Sequence, residues 1–459
     1  MRQTKIALAV MATAAILAGC SGNSGKPDAG DQTLKVKFAS QVSFGDSLSD
    51  VGTYAVGGVK ALGGGKYTIN GATGTGPEFS GKIWLELLAA QFGLPAPCAA
   101  MTGLDGDATK GFKVPVTTNA GCYGYAQGGA RVTSPVGPGN KLTGSPLGLL
   151  TVPVAQQVKN HLAAVGGKFK GDEIVFVMAG GNDVLFNLGA LSAAATAAGT
   201  SAGTTAFANS LIAQLAAGAT NPQTAAQAIG LAMAAESANP SHTDATVVTA
   251  AVTAAVKAGN TAAASPTVYG PMVAKAQADA TAAGTKAGTD YAAAHSAEQV
   301  AAMATAGKEL VAIVKNQMLT NGAKYVAVAN LGDVATTPSG LAQPSSSQQL
   351  IAAMVKAFND ELDKGLSGLD NVLLIDVWTS SHDQATNPAP YGLTNVKDTA
   401  CDLSAAKNPL GIALTCNLNN LKTGDVGRYS FADETLPTPY NYWLLARFVS
   451  EKMIVKGWL

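Results

Sequence analysis

Four short apolar runs punctuate the chain, at 36–44, 173–178 (EIVFVM), 324–329 (KYVAVA) and 372–377 (VLLIDV). Each is nearly continuous rather than alternating, which predicts parallel strands covered on both faces. Helical stretches separate and follow them at 83–92, 297–319, 347–366 and 440–455. Strand and helix alternating in this order predict an α/β fold, a doubly wound parallel sheet flanked by helices. In the last stretch Tyr442, Trp443, Leu444, Leu445, Phe448, Val449 and Met453 fall broadly on one side, most simply as a core helix; a platform for substrate is the other reading of its aromatic residues.

One segment departs from the pattern. Over about 191–295 the chain is dominated by Ala, Thr and Gly with few large apolar residues, and it predicts an inserted set of small helices. Phe207, Leu211, Ile212 and Leu215 share a helical face, so part of it can pack on the main body. A lid over a site and a passive decoration are both open readings.

Charge changes the picture mainly by exclusion. Only 13% of the 459 residues are charged and the formal net charge is zero. No basic surface for nucleic acid is expected, and no electrostatically held membrane contact. The first residues read as an export signal, with Arg2 and Lys5 ahead of an apolar run from Ile6 to about Leu17. Leu17-Ala18-Gly19-Cys20 resembles a bacterial lipoprotein cleavage box, the alternative being an ordinary secretory signal. The expected organisation is therefore a signal peptide at 1–19, a lipidated Cys20 with a polar tether to 34, and one domain over 35–459. Anchoring through lipid on Cys20 would hold the protein at a membrane of the bacterial cell envelope, since no later apolar run is expected to reach the ~20 residues of a spanning helix.

Four cysteines remain beyond Cys20. In an oxidising compartment they predict two disulfides, and proximity favours Cys98 with Cys122 and Cys401 with Cys416. None has CxxC spacing or a nearby histidine, so a metal site is the weaker reading. No metal or organic cofactor is expected.

Three short blocks carry candidate chemistry. The first, Gly45-Asp46-Ser47-Leu48, follows an apolar run, so Ser47 would sit at the rim of a sheet with backbone N–H groups aimed at it. The second, Tyr125-Ala126-Gln127-Gly128-Gly129-Ala130, has paired glycines that let a backbone N–H approach a ligand. The third, Ala179-Gly180-Gly181-Asn182-Asp183, follows the 173–178 run and places an asparagine amide at the ligand-binding edge of the sheet. A fourth block, Asp433-Glu434-Thr435-Leu436-Pro437-Thr438, precedes the last helix.

In these blocks, in this order, the chain resembles the SGNH, or GDSL, hydrolase superfamily, specifically its bacterial lipase and esterase branch, from Val42 to the C-terminus except the 191–295 segment. The resemblance implies a flavodoxin-like three-layer fold and an acyl-ester hydrolase. It implies Ser47 as nucleophile, with the Ser47 and Gly129 N–H groups and the Asn182 amide as oxyanion donors, and Asp433 as the acid that orients a histidine. Acyl esters, lipid-derived ones among them, would be the substrates. The family usually has asparagine where Gly124 stands. The larger departure is Leu436, at the position of the family's histidine.

Leucine accepts no proton, and a triad without its base loses several orders of magnitude in rate. His161 reads as a helical surface residue, and His242 and His295 lie in or beside the 191–295 segment. His382 follows the 372–377 run and is the candidate substitute base. Direct action by Asp433 or Glu434 would need a large upward pKa shift. The readings carried forward are an ester hydrolase with impaired activity and an inactive ester- or lipid-binding envelope lipoprotein.

Overall fold

A computed structural model describes residues 35–74 and 76–459. The expected signal peptide, Cys20 and the tether lie outside the described residues.

Among the described residues there are eight strands: β1 (Gln41–Gly45), β2 (Met101–Asp105), β3 (Lys113–Thr118), β4 (Ile174–Met178), β5 (Tyr325–Ala329), β6 (Val372–Ile375), β7 (Asn395–Thr399) and β8 (Tyr429–Phe431). The helices are α1 (Gly57–Ala61), α2 (Trp84–Gln91), α3 (Val154–Ala164), α4 (Gly181–Ala217), α5 (Pro222–Ser237), α6 (Asp244–Lys257), α7 (Pro266–Ile313), α8 (Pro338–Leu341), α9 (Ser345–Leu366), α10 (Val377–Thr386) and α11 (Pro439–Lys456). The four apolar runs become the parallel sheet β1-β4-β5-β6. Residues 123–127 extend it past β1: the Ser43 N–H donates to Tyr123 O (3.0 Å), and the Tyr125 and Gln127 N–H groups donate to Ser43 O (2.8 Å) and Gly45 O (3.1 Å). Chain order therefore reverses between β1 and β4, and a reversal of this kind opens a crevice at the strands' C-terminal ends.

The molecule is a mixed α/β fold with a mostly parallel sheet flanked by helices. Alternate residues of each strand face opposite layers. Val42, Phe44, Val175, Val177, Val326 and Val328 pack against α3, α9 and the end of α7. Ile174, Phe176, Met178, Ala327, Ala329 and Ile375 pack against α2 and α11. Burial of each large side chain contributes roughly 1.5–3 kcal/mol, which is why these runs carry no polar face. The last helix is thus a core helix through Tyr442, Val449 and Met453.

Both expected disulfides form, with Cα–Cα separations of 5.0 Å for Cys98–Cys122 and 6.1 Å for Cys401–Cys416. The first sits beside the 123–127 edge segment, where the Gly124 N–H donates to Cys98 O. The second belongs to a third apolar cluster that includes Tyr54, Ile69, Leu414 and Leu436.

Three expectations fail. The 191–295 segment is not a set of small helices with boundaries of its own: it belongs mainly to α4 and α7, of 37 and 48 residues, roughly 55 and 70 Å long at 1.5 Å per residue. Helices α5 and α6 close the far end around Leu211, Leu215, Ile229, Met233 and Ala276. The long pair meets through small residues at four-residue spacing, Ala195, Gly199 and Gly203 on one helix and Ala280, Gly284 and Gly288 on the other; a Cβ on Gly199 would stand 2.7 Å from Gly284 O. Secondly, α4 is by length and composition apolar enough to cross a membrane. Alanine supplies much of that character, so no long run of large apolar side chains marks it in the sequence.

Thirdly, His161 is buried, not on the surface. It completes the inner face of α3 with Val154, Gln157 and Val158. Its ring lies among Phe44, Tyr125 and Phe169, 5.7, 5.3 and 4.8 Å away, and neither ring nitrogen has a hydrogen-bond partner among the described residues. Burial first, then Lys170, pushes its pKa down to about 4, so the ring is neutral.

Candidate functional site

Ser47 opens a one-turn helix, Ser47–Ser49, directly after β1. The turn is set by two neighbours. Gly45 has φ +144°, and a Cβ there would overlap the Met178 carbonyl, so β1 can end this close to β4 only as glycine. Gln157 of α3 clamps the same residue, its Oε1 accepting from the Gly45 N–H and its Nε2 donating to Gly45 O, both at 2.8 Å. Asp46 caps the turn by accepting from the Leu48 N–H at 3.1 Å. The Ser47 N–H makes no hydrogen bond among the described residues.

Two buried carboxylates tie the three blocks together. Asp50 accepts from the N–H groups of Gly52 (2.9 Å), Thr53 (2.7 Å) and Gly128 (2.9 Å), which brings the paired glycines to the Ser47 turn. Gly129 follows with φ +79° and an N–H that makes no hydrogen bond among the described residues. Asn182, in the first turn of α4, donates through Nδ2 to Ala130 O at 2.9 Å, leaving a second amide N–H. Asp183 meets Arg131 Nε at 2.9 Å and accepts from the Val132 N–H at 3.1 Å. Asp50, two residues past the first block, and Asp183, at the end of the third, were assigned no role from sequence. The available signal was a carboxylate inside a segment that otherwise reads as buried, where a charge persists only if it is hydrogen-bonded.

Ser47, Asn182 and Leu436 line one cavity of about 170 Å³ in the β1/β4 crevice, together with apolar Leu48, Leu185 and Leu331. Gly129, Asp433 and His382 are not on its wall. The Asp433 carboxylate is turned into its own loop: Oδ1 accepts from the N–H groups of Thr435 (2.9 Å) and Leu436 (2.8 Å), and Oδ2 from Ala413 (2.6 Å). Burial pushes its pKa up and these three N–H groups oppose that, with a net upward shift. A carboxylate so engaged and off the cavity wall is no base for Ser47. Glu434, also considered from sequence, is exposed.

His382 stands elsewhere. Its Nδ1 lies 2.7 Å from Asp333 Oδ2, and its ring stacks on Trp378 at 4.8 Å with 9° between planes. Asp333 lines the Ser47 cavity, whereas His382 lines the neighbouring cleft. No hydrogen-bonding partner of the Ser47 hydroxyl is present among the described residues.

Asp46 is a cavity residue that sequence reading left without a role. Burial first pushes its pKa up from 3.8 to about 7; the Leu48 N–H opposes this and the Asp183 charge adds to it. A carboxyl whose folded pKa is raised stabilises the fold below its unfolded pKa, and that contribution is lost as pH rises through the folded value. The window here is about pH 3.8 to 7. Asp46→Asn keeps an acceptor for the Leu48 N–H without the buried charge. Urea midpoints of this variant should exceed those of the wild type at pH 8 and fall less between pH 5 and pH 8; an unchanged pH slope would contradict the assignment.

Chemically, the arrangement offers a serine hydroxyl beside an apolar cavity and three N–H donors on blocks that are held together. It lacks a proton acceptor at the hydroxyl. The chain matches no family model and no curated protein.

Proposed function

We propose that this protein is a serine ester hydrolase of the SGNH (GDSL) type, acting on acyl esters through an acyl-Ser47 intermediate, with a rate limited by Leu436. The observation that carries the reading is the presence of Ser47 and Asn182 on the wall of one apolar cavity at the crevice where chain order reverses. The acyl chain lies in the cavity and the ester carbonyl carbon is attacked by Ser47 Oγ. The oxyanion is held by the Asn182 amide with the Ser47 N–H; the family resemblance adds the Gly129 N–H, which lies off the cavity wall. The alcohol then leaves, and water releases the acid from the acyl-enzyme. With leucine at 436, no side chain receives the serine proton: it passes to water as Oγ attacks, water returns a proton to the departing alkoxide, and the oxyanion donors supply what catalysis remains.

The 35–459 domain belongs to this reading, with the Ala-rich segment about 191–295 as an addition to the family's core. So does a place in the cell envelope through lipid on Cys20, in keeping with two disulfides. Hydrolysis of p-nitrophenyl butyrate by the soluble domain is expected to be slow and to vanish in Ser47→Ala. Equal rates in the two proteins would remove Ser47 from the chemistry. A second reading, an ester- or lipid-binding protein without turnover, is favoured by the unpartnered Ser47 hydroxyl and the leucine-lined wall; binding of butyrate or decanoate to a protein inert in both forms would select it.

A further inference from the structure

We infer that the open cleft beside the Ser47 cavity is a saccharide-binding subsite, so that the ester this protein engages is carried on a glycan. The inference rests on the ester-hydrolase reading for its link to the acyl group, and on the cleft itself for the ligand class. The cleft measures about 900 Å³, within the size of ligand sites, and Ser380 and Gln384 of α10 line both it and the smaller cavity. The two spaces thus adjoin and differ in kind. The Ser47 cavity is narrow and largely apolar, as an acyl group requires, and the cleft mixes aromatic rings with charges of both signs.

Aromatic residues are contributed by α10, the loop after it and α11. Trp378 is among the few large apolar side chains that stay exposed, at 37%. One of its faces is backed by the His382 ring, whose orientation is set by Asp333. Trp443 is backed in the same way by the Arg447 guanidinium, 4.8 Å from its centroid, and packs against Tyr440 at 5.4 Å. Tyr391 is held by its hydroxyl donating to Asp383. Rings buttressed on one side are rigid platforms, which lose little conformational entropy when the free face is covered.

The polar groups sit beside these rings. Asp383 and Glu451 line the cleft together with Arg447 and Lys452. An acyl chain laid here would strip water from four charged groups without replacing their hydrogen bonds. A polyanion would meet the carboxylates. A sugar presents an apolar C–H face to a ring and a fringe of hydroxyls that both donate and accept, and so satisfies carboxylates, guanidinium and ammonium at once. The aromatic residues of α11 are thus joined by Trp378 and Tyr391, which come from segments far from it in the chain.

The test is calorimetric titration of the soluble domain with xylohexaose, cellohexaose and chitohexaose. At least one is expected to bind saturably. Trp378→Ala, at an exposed position on α10, should weaken it at least tenfold, as should Arg447→Met, while Ser47→Ala should bind as the wild type does. Absence of binding by all three hexasaccharides overturns the inference, and so does affinity unchanged in both cleft variants. Sugar binding without Ser47-dependent hydrolysis would sink only the esterase reading, and hydrolysis without sugar binding only this one.

Discussion

Leu436→His is expected to raise kcat/KM for p-nitrophenyl butyrate by roughly 10²- to 10⁴-fold, the range that a positioned general base contributes. Leu436 lines the same cavity as Ser47, and its backbone N–H is already bound to Asp433 Oδ1 at 2.8 Å. An imidazole at this position would therefore stand beside a buried carboxylate and face the Ser47 cavity. That carboxylate raises the imidazole's proton affinity and orients it, which is the division of labour in a serine triad. The gain should disappear in the Leu436→His, Ser47→Ala double variant. It should also fall away below the pKa of the introduced histidine, where the base is protonated. A folded Leu436→His protein no faster than the wild type would mean that Ser47 and position 436 do not act on a common substrate.

Gly45→Ala is expected to abolish stable folding. The residue sits at φ +144°, a conformation that L side chains rarely adopt, and its new methyl would overlap the Met178 carbonyl across the β1/β4 pairing. Neither strand can move aside, because Phe44, Phe176 and Val177 are fully buried on the two sides. Backbone overlap in a close-packed sheet belongs with the rare substitutions of more than ~4 kcal/mol, against a total stability of about 5–15 kcal/mol. Soluble yield and the urea midpoint are the measurements. Gly189→Ala is the control: it lies within α4 with nothing within 4 Å of the added carbon, and should be neutral or stabilising by up to ~1 kcal/mol. A Gly45→Ala protein with the wild-type midpoint would show that the close approach of β1 and β4 is not required.

Much of the scaffold was legible before the tertiary structure because its determinants are local. The runs at 173–178 and 324–329 match β4 and β5 within a residue at one end, and 347–366 and 440–455 match α9 and α11 within two. An uninterrupted apolar stretch has no exposed face to offer, so it must be covered on both sides. The disulfide pairing was legible for a similar reason, the partners being 24 and 15 residues apart. The full extent of α4 and α7 was not. Alanine favours helix without setting its ends or its packing face, and the small-residue ladders at Gly199 and Gly284 acquire meaning only when the two helices lie side by side.

The site divides along the same line. By itself the sequence determined the residue types that chemistry needs, a serine after a strand, paired glycines, an asparagine at a strand end and a leucine where a base is expected, because each follows from motif and local conformation. Only the tertiary structure decided which of them share a cavity. It brought Ser47, Asn182 and Leu436 to one wall and turned Asp433 into its own loop. It set His382 in the adjoining cleft and closed the Arg131–Asp183 ion pair across 52 residues of chain. Such juxtapositions depend on strand order and on the layer that each helix covers, and periodicity along one segment carries no record of either.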